Sequence, residues 1–137
     1  MIYAVIDTNI IVSSFLTKNE MAATRRVINS VLDGLITPMY NDEILTEYSE
    51  VLRRPKFHLN ANDIDILINY FRCYGINSSR TTFNGDLPDE EDRVFYEVAL
   101  NNKDSFLVTG NLKHFPKNTF VISPAEMVAL LDKICPD

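Results

Sequence analysis

The chain is 137 residues long, 46% hydrophobic and 23% charged. That is enough apolar material for one compact core, and the composition is not that of a disordered chain. Its 13 Lys and Arg stand against 19 Asp and Glu, a formal net charge of -6, which argues against a basic protein that coats nucleic acid. An enzyme that meets nucleic acid through bound metal stays open, because a cation inverts the local charge.

In chain order, Ile2–Ile6 is short, apolar and rich in β-branched residues, the pattern of a strand buried on both faces of a parallel sheet. Asp7 interrupts the apolar run and no basic segment precedes it, so a signal peptide is not expected. A helix is predicted over 21–33, stopped by Gly34, and a strand over 35–38. Asn41 is the expected N-cap of a helix over 42–53, which Pro55 ends. A further helix fits 61–73, and 76–83 is weakly strand-like. An acidic loop over 86–91 leads into a helix reaching about Leu100. Strands are predicted over 105–109 and 119–122, with a sharp turn at Gly110-Asn111. Ser123-Pro124 opens a last helix to about Lys133.

Short apolar strands alternating with helices predict a three-layer α/β fold on a parallel sheet, as a single domain over 1–137; an α+β domain is the alternative. No apolar run approaches the roughly 18 residues that span a membrane, and a cytoplasmic protein is expected. Cys73 and Cys135 form no CxxC, and His58 and His114 form no close pair. Both a disulfide framework and a zinc site are therefore disfavoured, and the two thiols are expected to be free.

Open parallel sheets build sites at the carboxyl ends of strands. Asp7-Thr8-Asn9 follows the first strand and Gly110-Asn111 the fourth. A carboxylate at the end of a buried strand is costly unless paired or bound to a cation; the plainer use of Asp7 or Asn9 is to cap the next segment. In the 42–53 helix, Ile44, Leu45, Tyr48, Val51 and Leu52 form one apolar stripe. Glu47 lies roughly 100° from its centre, on the border, while Glu43 and Glu50 lie roughly 140° and 160° away, toward solvent. The acidic run Asp86, Asp89, Glu90, Glu91, Asp92 suits a helix N-terminus. Asp92 and Glu91 both fall near the apolar side, and periodicity does not choose between them. Carboxylates brought together raise one another's pKa unless a cation is present. An all-oxygen set points to Mg²⁺ or Mn²⁺, and such an ion serves phosphodiester hydrolysis.

On four stretches the sequence resembles the PIN domain family. They are Val5-Ile6-Asp7-Thr8-Asn9, Glu47 with the following Glu50-Val51-Leu52-Arg53-Arg54-Pro55-Lys56-Phe57, Asp92-Arg93-Val94-Phe95 with Ala99, and Leu107-Val108-Thr109-Gly110-Asn111. Two stretches, Leu52-Arg53-Arg54-Pro55-Lys56-Phe57 and Thr109-Gly110-Asn111-Leu112-Lys113-His114-Phe115-Pro116, are similar to the toxin components of bacterial toxin–antitoxin systems.

The resemblance implies a Rossmann-like α/β/α fold with five parallel strands and a ribonuclease dependent on Mg²⁺ or Mn²⁺. It implies Asp7, Glu47 and Asp92 as catalytic and metal-holding acids, the family's spacing to Ala99 selecting Asp92 over Glu91. Asn111 stands where many PIN domains carry a further Asp, and Thr8, Asn9 and Thr109 would support the acids. Arg53, Arg54, Lys56, Lys113 and His114 are the candidates for contact with RNA phosphates. RNA, an antitoxin protein and a second copy of the chain are the expected partners. Two other readings compete: a PIN-fold interaction module without catalysis, and a haloacid dehalogenase-like phosphatase, which needs a second Asp where Asn9 stands.

Overall fold

The computed structural model describes residues 1–135. Five strands, β1 (Ile2–Ile6), β2 (Ile36–Tyr40), β3 (Ile76–Asn77), β4 (Ser105–Val108) and β5 (Val121–Ile122), form one sheet in the order β3-β2-β1-β4-β5. Every pairing is parallel. Among the described residues six α-helices flank it: α1 (Thr8–Leu16), α2 (Ala23–Leu32), α3 (Asp42–Leu52), α4 (Ala61–Tyr74), α5 (Arg93–Leu100) and α6 (Pro124–Ile134). This is the expected three-layer α/β/α arrangement. No helix among the described residues is long and apolar enough to cross a membrane.

The most apolar strand lies at the centre, as its sequence demands. Ala4, Val5 and Ile6 of β1 are fully buried between β2 and β4. The chain steps from β1 to β2 on one side and reaches β4 on the other, so the reversal of strand order falls between β1 and β4. A cleft opens there by geometry alone, because the connections from the two strands leave in opposite directions.

The helix ends follow the local signals. Gly34, at φ 81°, ends α2 with Gly34 N–H donating to Val31 O at 3.1 Å and Leu35 N–H to Ser30 O at 2.9 Å, the paired bonds of a Schellman cap. Asn41 Oδ1 accepts from Ile44 N–H at 2.8 Å and caps α3. Ser123 and Glu126 form a capping box at α6.

Three expectations change. Helix α1 is absent from the sequence reading, because Ile10-Ile11-Val12 continues the β-branched character of β1; burial of Ile11 and Ser14 one turn apart makes it helical. The 76–83 segment pairs only at Ile76 and Asn77, and beyond them Arg80 is drawn away to Glu43 and Glu97. Strand β2 runs past Pro38 to Tyr40. Pro38 is tolerated because its pairing toward β3 begins only at Met39, so the missing N–H removes no ladder bond there.

Candidate active site

Asp7 directly follows β1, and Thr109 directly follows β4. Ile6 pairs with Val108 in register, which sets the next two residues side by side. Thr109 Oγ1 donates to Asp7 Oδ2 at 2.7 Å, and Asn9 Nδ2 donates to the same oxygen at 3.3 Å. Asn9 Oδ1 in turn accepts from Gly110 N–H at 3.3 Å, and Asn111 N–H donates to Thr109 Oγ1 at 3.0 Å. The ends of the two strands are thus laced together around one carboxylate. Asp7 occupies the N-cap position of α1 but makes no side-chain capping bond, so the capping use of this residue is not the one the fold adopts.

Helix α3 supplies the second acid. Its apolar face, with Ile44, Leu45, Tyr48 and Leu52, is buried, and Glu47 on the border leans into the cleft, where Thr8 Oγ1 donates to Glu47 Oε2. Glu43 instead pairs outward with Arg80 at 2.8 Å, and Glu50 lies in a separate surface groove with Asp42 and Asp65. Tyr48, completely buried behind Glu47, donates its hydroxyl to Ile6 O at 2.5 Å. It fastens α3 to the end of β1.

The third acid enters at the start of α5. Asp92 closes a short 3-10 turn, Glu90–Asp92, whose Asp89 side chain accepts from Glu91 N–H at 3.0 Å. Arg93 anchors the loop before it, donating to Phe83 O at 2.6 Å and Gly85 O at 2.9 Å. His114 Nδ1 stands 3.4 Å from Asp92 Oδ2.

Asp7, Glu47, Asp92 and Asn111 line one cleft of about 670 Å³, together with Thr8, Asn9, Asp89, Glu91, Arg54 and His114. Of the other basic candidates, Arg53 is held by Asp65 and Ser49, Lys56 lies over the Phe57 ring, and Lys113 borders a separate hollow with Pro116 and Val121. These three do not line the cleft. Asp89, Glu91 and the apolar residues Val12, Leu16, Val51 and Phe57 do. Glu91 and Asp89 belong to the acidic run and Val51 to the apolar stripe of α3, but that they share a cleft with Val12, Leu16 and Phe57 is set by tertiary structure, and no local signal announces it.

The electrostatics follow from burial and crowding. Asp7 is only 6% exposed; burial first, then the Asp92 and Glu47 carboxylates, push its pKa up to about 6 against the pull of Thr109. Burial and the Asp92, Glu91 and Asp89 charges raise Glu47, despite the Thr8 hydroxyl. Burial and Asp89 raise Asp92, with His114 opposing. Among the described residues no three His, Cys, Asp or Glu side chains stand close enough, as placed, to grip one ion; Glu47 is drawn to Thr8 and Asp92 toward His114. The donor set nonetheless suits a hard divalent cation: its atoms are oxygens, and mutual repulsion already penalises the anions that a cation would relieve.

The acids thus cluster at the switch point of a doubly wound sheet. The PIN domain family matches the chain over residues 3–113, and the chain belongs to that family. Its fold is a nuclease-type fold, and PIN domains are generally nucleases that use divalent metals. Membership displaces the phosphatase reading. No curated protein matches the chain.

Proposed function

We propose that this chain is an endoribonuclease dependent on Mg²⁺ or Mn²⁺, the toxin of a toxin–antitoxin pair acting in the cytoplasm. The observation that carries the reading is the meeting of Asp7, Glu47 and Asp92 in one cleft, each with its carboxyl pKa raised by burial and by other carboxylates. A bound divalent ion would neutralise charge on the phosphate and make water a better nucleophile. Asp7 and Asp92 would hold it, with Thr109 and Asn9 keeping the Asp7 carboxylate in orientation. Glu47 orients the attacking water and takes its proton. The water attacks phosphorus in line and the 3′ oxygen leaves. Arg54 and His114, which border the cleft, meet the neighbouring phosphates.

Asn111 bears on the number of ions. It lines the cleft with a neutral amide, and its backbone, at φ -122° and ψ 68°, is not left-handed. Asn is therefore not required there for a strained turn. Asn111→Asp should tighten Mn²⁺ binding and speed cleavage, whereas Asp7→Asn should abolish both. Calorimetric titration of Mn²⁺ beside an RNA cleavage assay tests this, and equal affinity and rate in the Asn111→Asp chain would count against it. The neutral amide is also what favours the second reading, a PIN-fold interaction module without catalysis, which expects no Mn²⁺ binding. The partners of the proposal are an antitoxin and a second copy of the chain. A small neighbouring reading frame for a DNA-binding protein, and the sedimentation mass of the purified chain, test them.

A further inference from the structure

One wall of the cleft is apolar, and the hydrolytic chemistry does not use it. Val12 from α1, Val51 from α3 and Phe57 are half-buried, and Leu16 is 47% exposed. Phe57 closes a 3-10 turn, Pro55–Phe57, begun by a proline and ended by His58 in the left-handed region at φ 52°, so the ring sits on a well-defined support. Lys56 Nζ stands 5.1 Å from the ring centroid. The cleft volume of about 670 Å³ far exceeds the share of a few waters around an ion, at about 30 Å³ each.

Charge sharpens the question. Asp7, Glu47, Asp89, Glu91 and Asp92 face the cleft, and among the described residues Arg54 is its one permanently cationic lining side chain. On a chain of net charge -6, phosphate contacts alone are a poor way to hold a polyanion. Contact between an apolar surface and a base does not suffer from that repulsion.

We propose that Val12, Leu16, Val51 and Phe57 form a nucleobase subsite, which receives one unpaired base of the RNA next to the phosphate held at the acids. This rests on the ribonuclease reading above. A base within a duplex keeps both faces stacked and cannot enter such a wall, so the subsite selects single-stranded or looped RNA. Arg54, which lines the cleft, takes a phosphate beside the inserted base.

The test uses the Asp7→Asn chain, which loses cleavage and one repelling charge. Binding of a labelled single-stranded oligoribonucleotide is followed by fluorescence anisotropy, against strands that lack one base at each position in turn. Removal of one particular base should weaken binding about tenfold, the scale of a lost base–aromatic contact. Phe57→Ala should erase that difference and Phe57→Tyr should keep it. The ratio should persist as salt is raised, while both affinities fall. If Phe57→Ala does not fold, the intact and abasic strands decide the matter on the Asp7→Asn chain alone. Affinities indifferent to every missing base overturn the subsite and leave the wall to a protein partner. RNA cleavage by the unsubstituted chain with Mn²⁺ reports separately on the ribonuclease reading: cleavage together with affinities indifferent to every missing base defeats only the subsite, and neither cleavage nor binding of RNA defeats both.

Discussion

Asp7 combines a destabilising position with a candidate function. Its carboxyl moves from 3.8 to about 6 on folding, so the folded chain holds the proton more tightly than the unfolded chain. Its contribution is therefore fully present below the unfolded value and is lost as pH rises from about 4 through about 6. At neutral pH the buried anion costs about 1–3 kcal/mol. Asp7→Asn should accordingly raise the melting temperature in chelator at pH 7, flatten its dependence on pH between 4 and 6, and remove RNA cleavage. A variant that melts below the parent in chelator at pH 7 would show that the hydrogen bonds from Thr109 and Asn9 outweigh the burial cost. Asp7 was legible because a charge at the end of an apolar strand is locally anomalous, and Glu47 because a helix border can be counted at about 100° per residue. The grip of Thr8 on Glu47, 39 residues away, has no local signature.

Between elements, contacts that look structural hold the acids in place. Tyr48 reads as one more apolar-stripe residue, yet its hydroxyl satisfies Ile6 O, one residue before Asp7, and so ties the helix bearing Glu47 to the strand bearing Asp7. Tyr48→Phe leaves that carbonyl without its partner, at a cost of about 1–3 kcal/mol. The melting temperature should fall and Mn²⁺ affinity should weaken with it; unchanged affinity would limit Tyr48 to the core. At the far side of the sheet, a Cβ on Gly75 would stand 2.5 Å from Pro38 O and 2.6 Å from Phe71 O. Both are backbone atoms that cannot swing aside. Gly75→Ala should cost about 1–3 kcal/mol by overpacking while leaving metal binding intact, since Gly75 does not line the cleft. Chemical denaturation and calorimetry separate the two effects. Elements with a clear cap, such as α3 and α6, were legible to within a residue or two. Helix α1 was not, because its β-branched residues are helical only by tertiary burial.

For the molecule as a whole, folding concentrates the negative charge of an already acidic chain. The alternation of apolar strands and helices made the layered fold readable, but it could not show that Asp89 and Glu91 would share a cleft with Asp7, Glu47 and Asp92. That crowding opposes folding, and a divalent cation bound only by the folded chain would offset it by mass action, by about 2.7 kcal/mol at one hundred times its dissociation constant. The proton is a competitor. Near pH 5 Asp7 is largely protonated, its pKa being about 6, and the raised values of Glu47 and Asp92 act in the same direction. A cation must then displace protons before it gains oxygen ligands. The rise in melting temperature caused by Mn²⁺ should therefore be large at pH 7 and much smaller at pH 5, and Asp7→Asn should suppress it at both. Melting curves at the two pH values, with and without Mn²⁺ and at fixed ionic strength, provide the comparison. An equal rise at both would place the ion away from these carboxylates, and no rise at either would remove the metal from the reading.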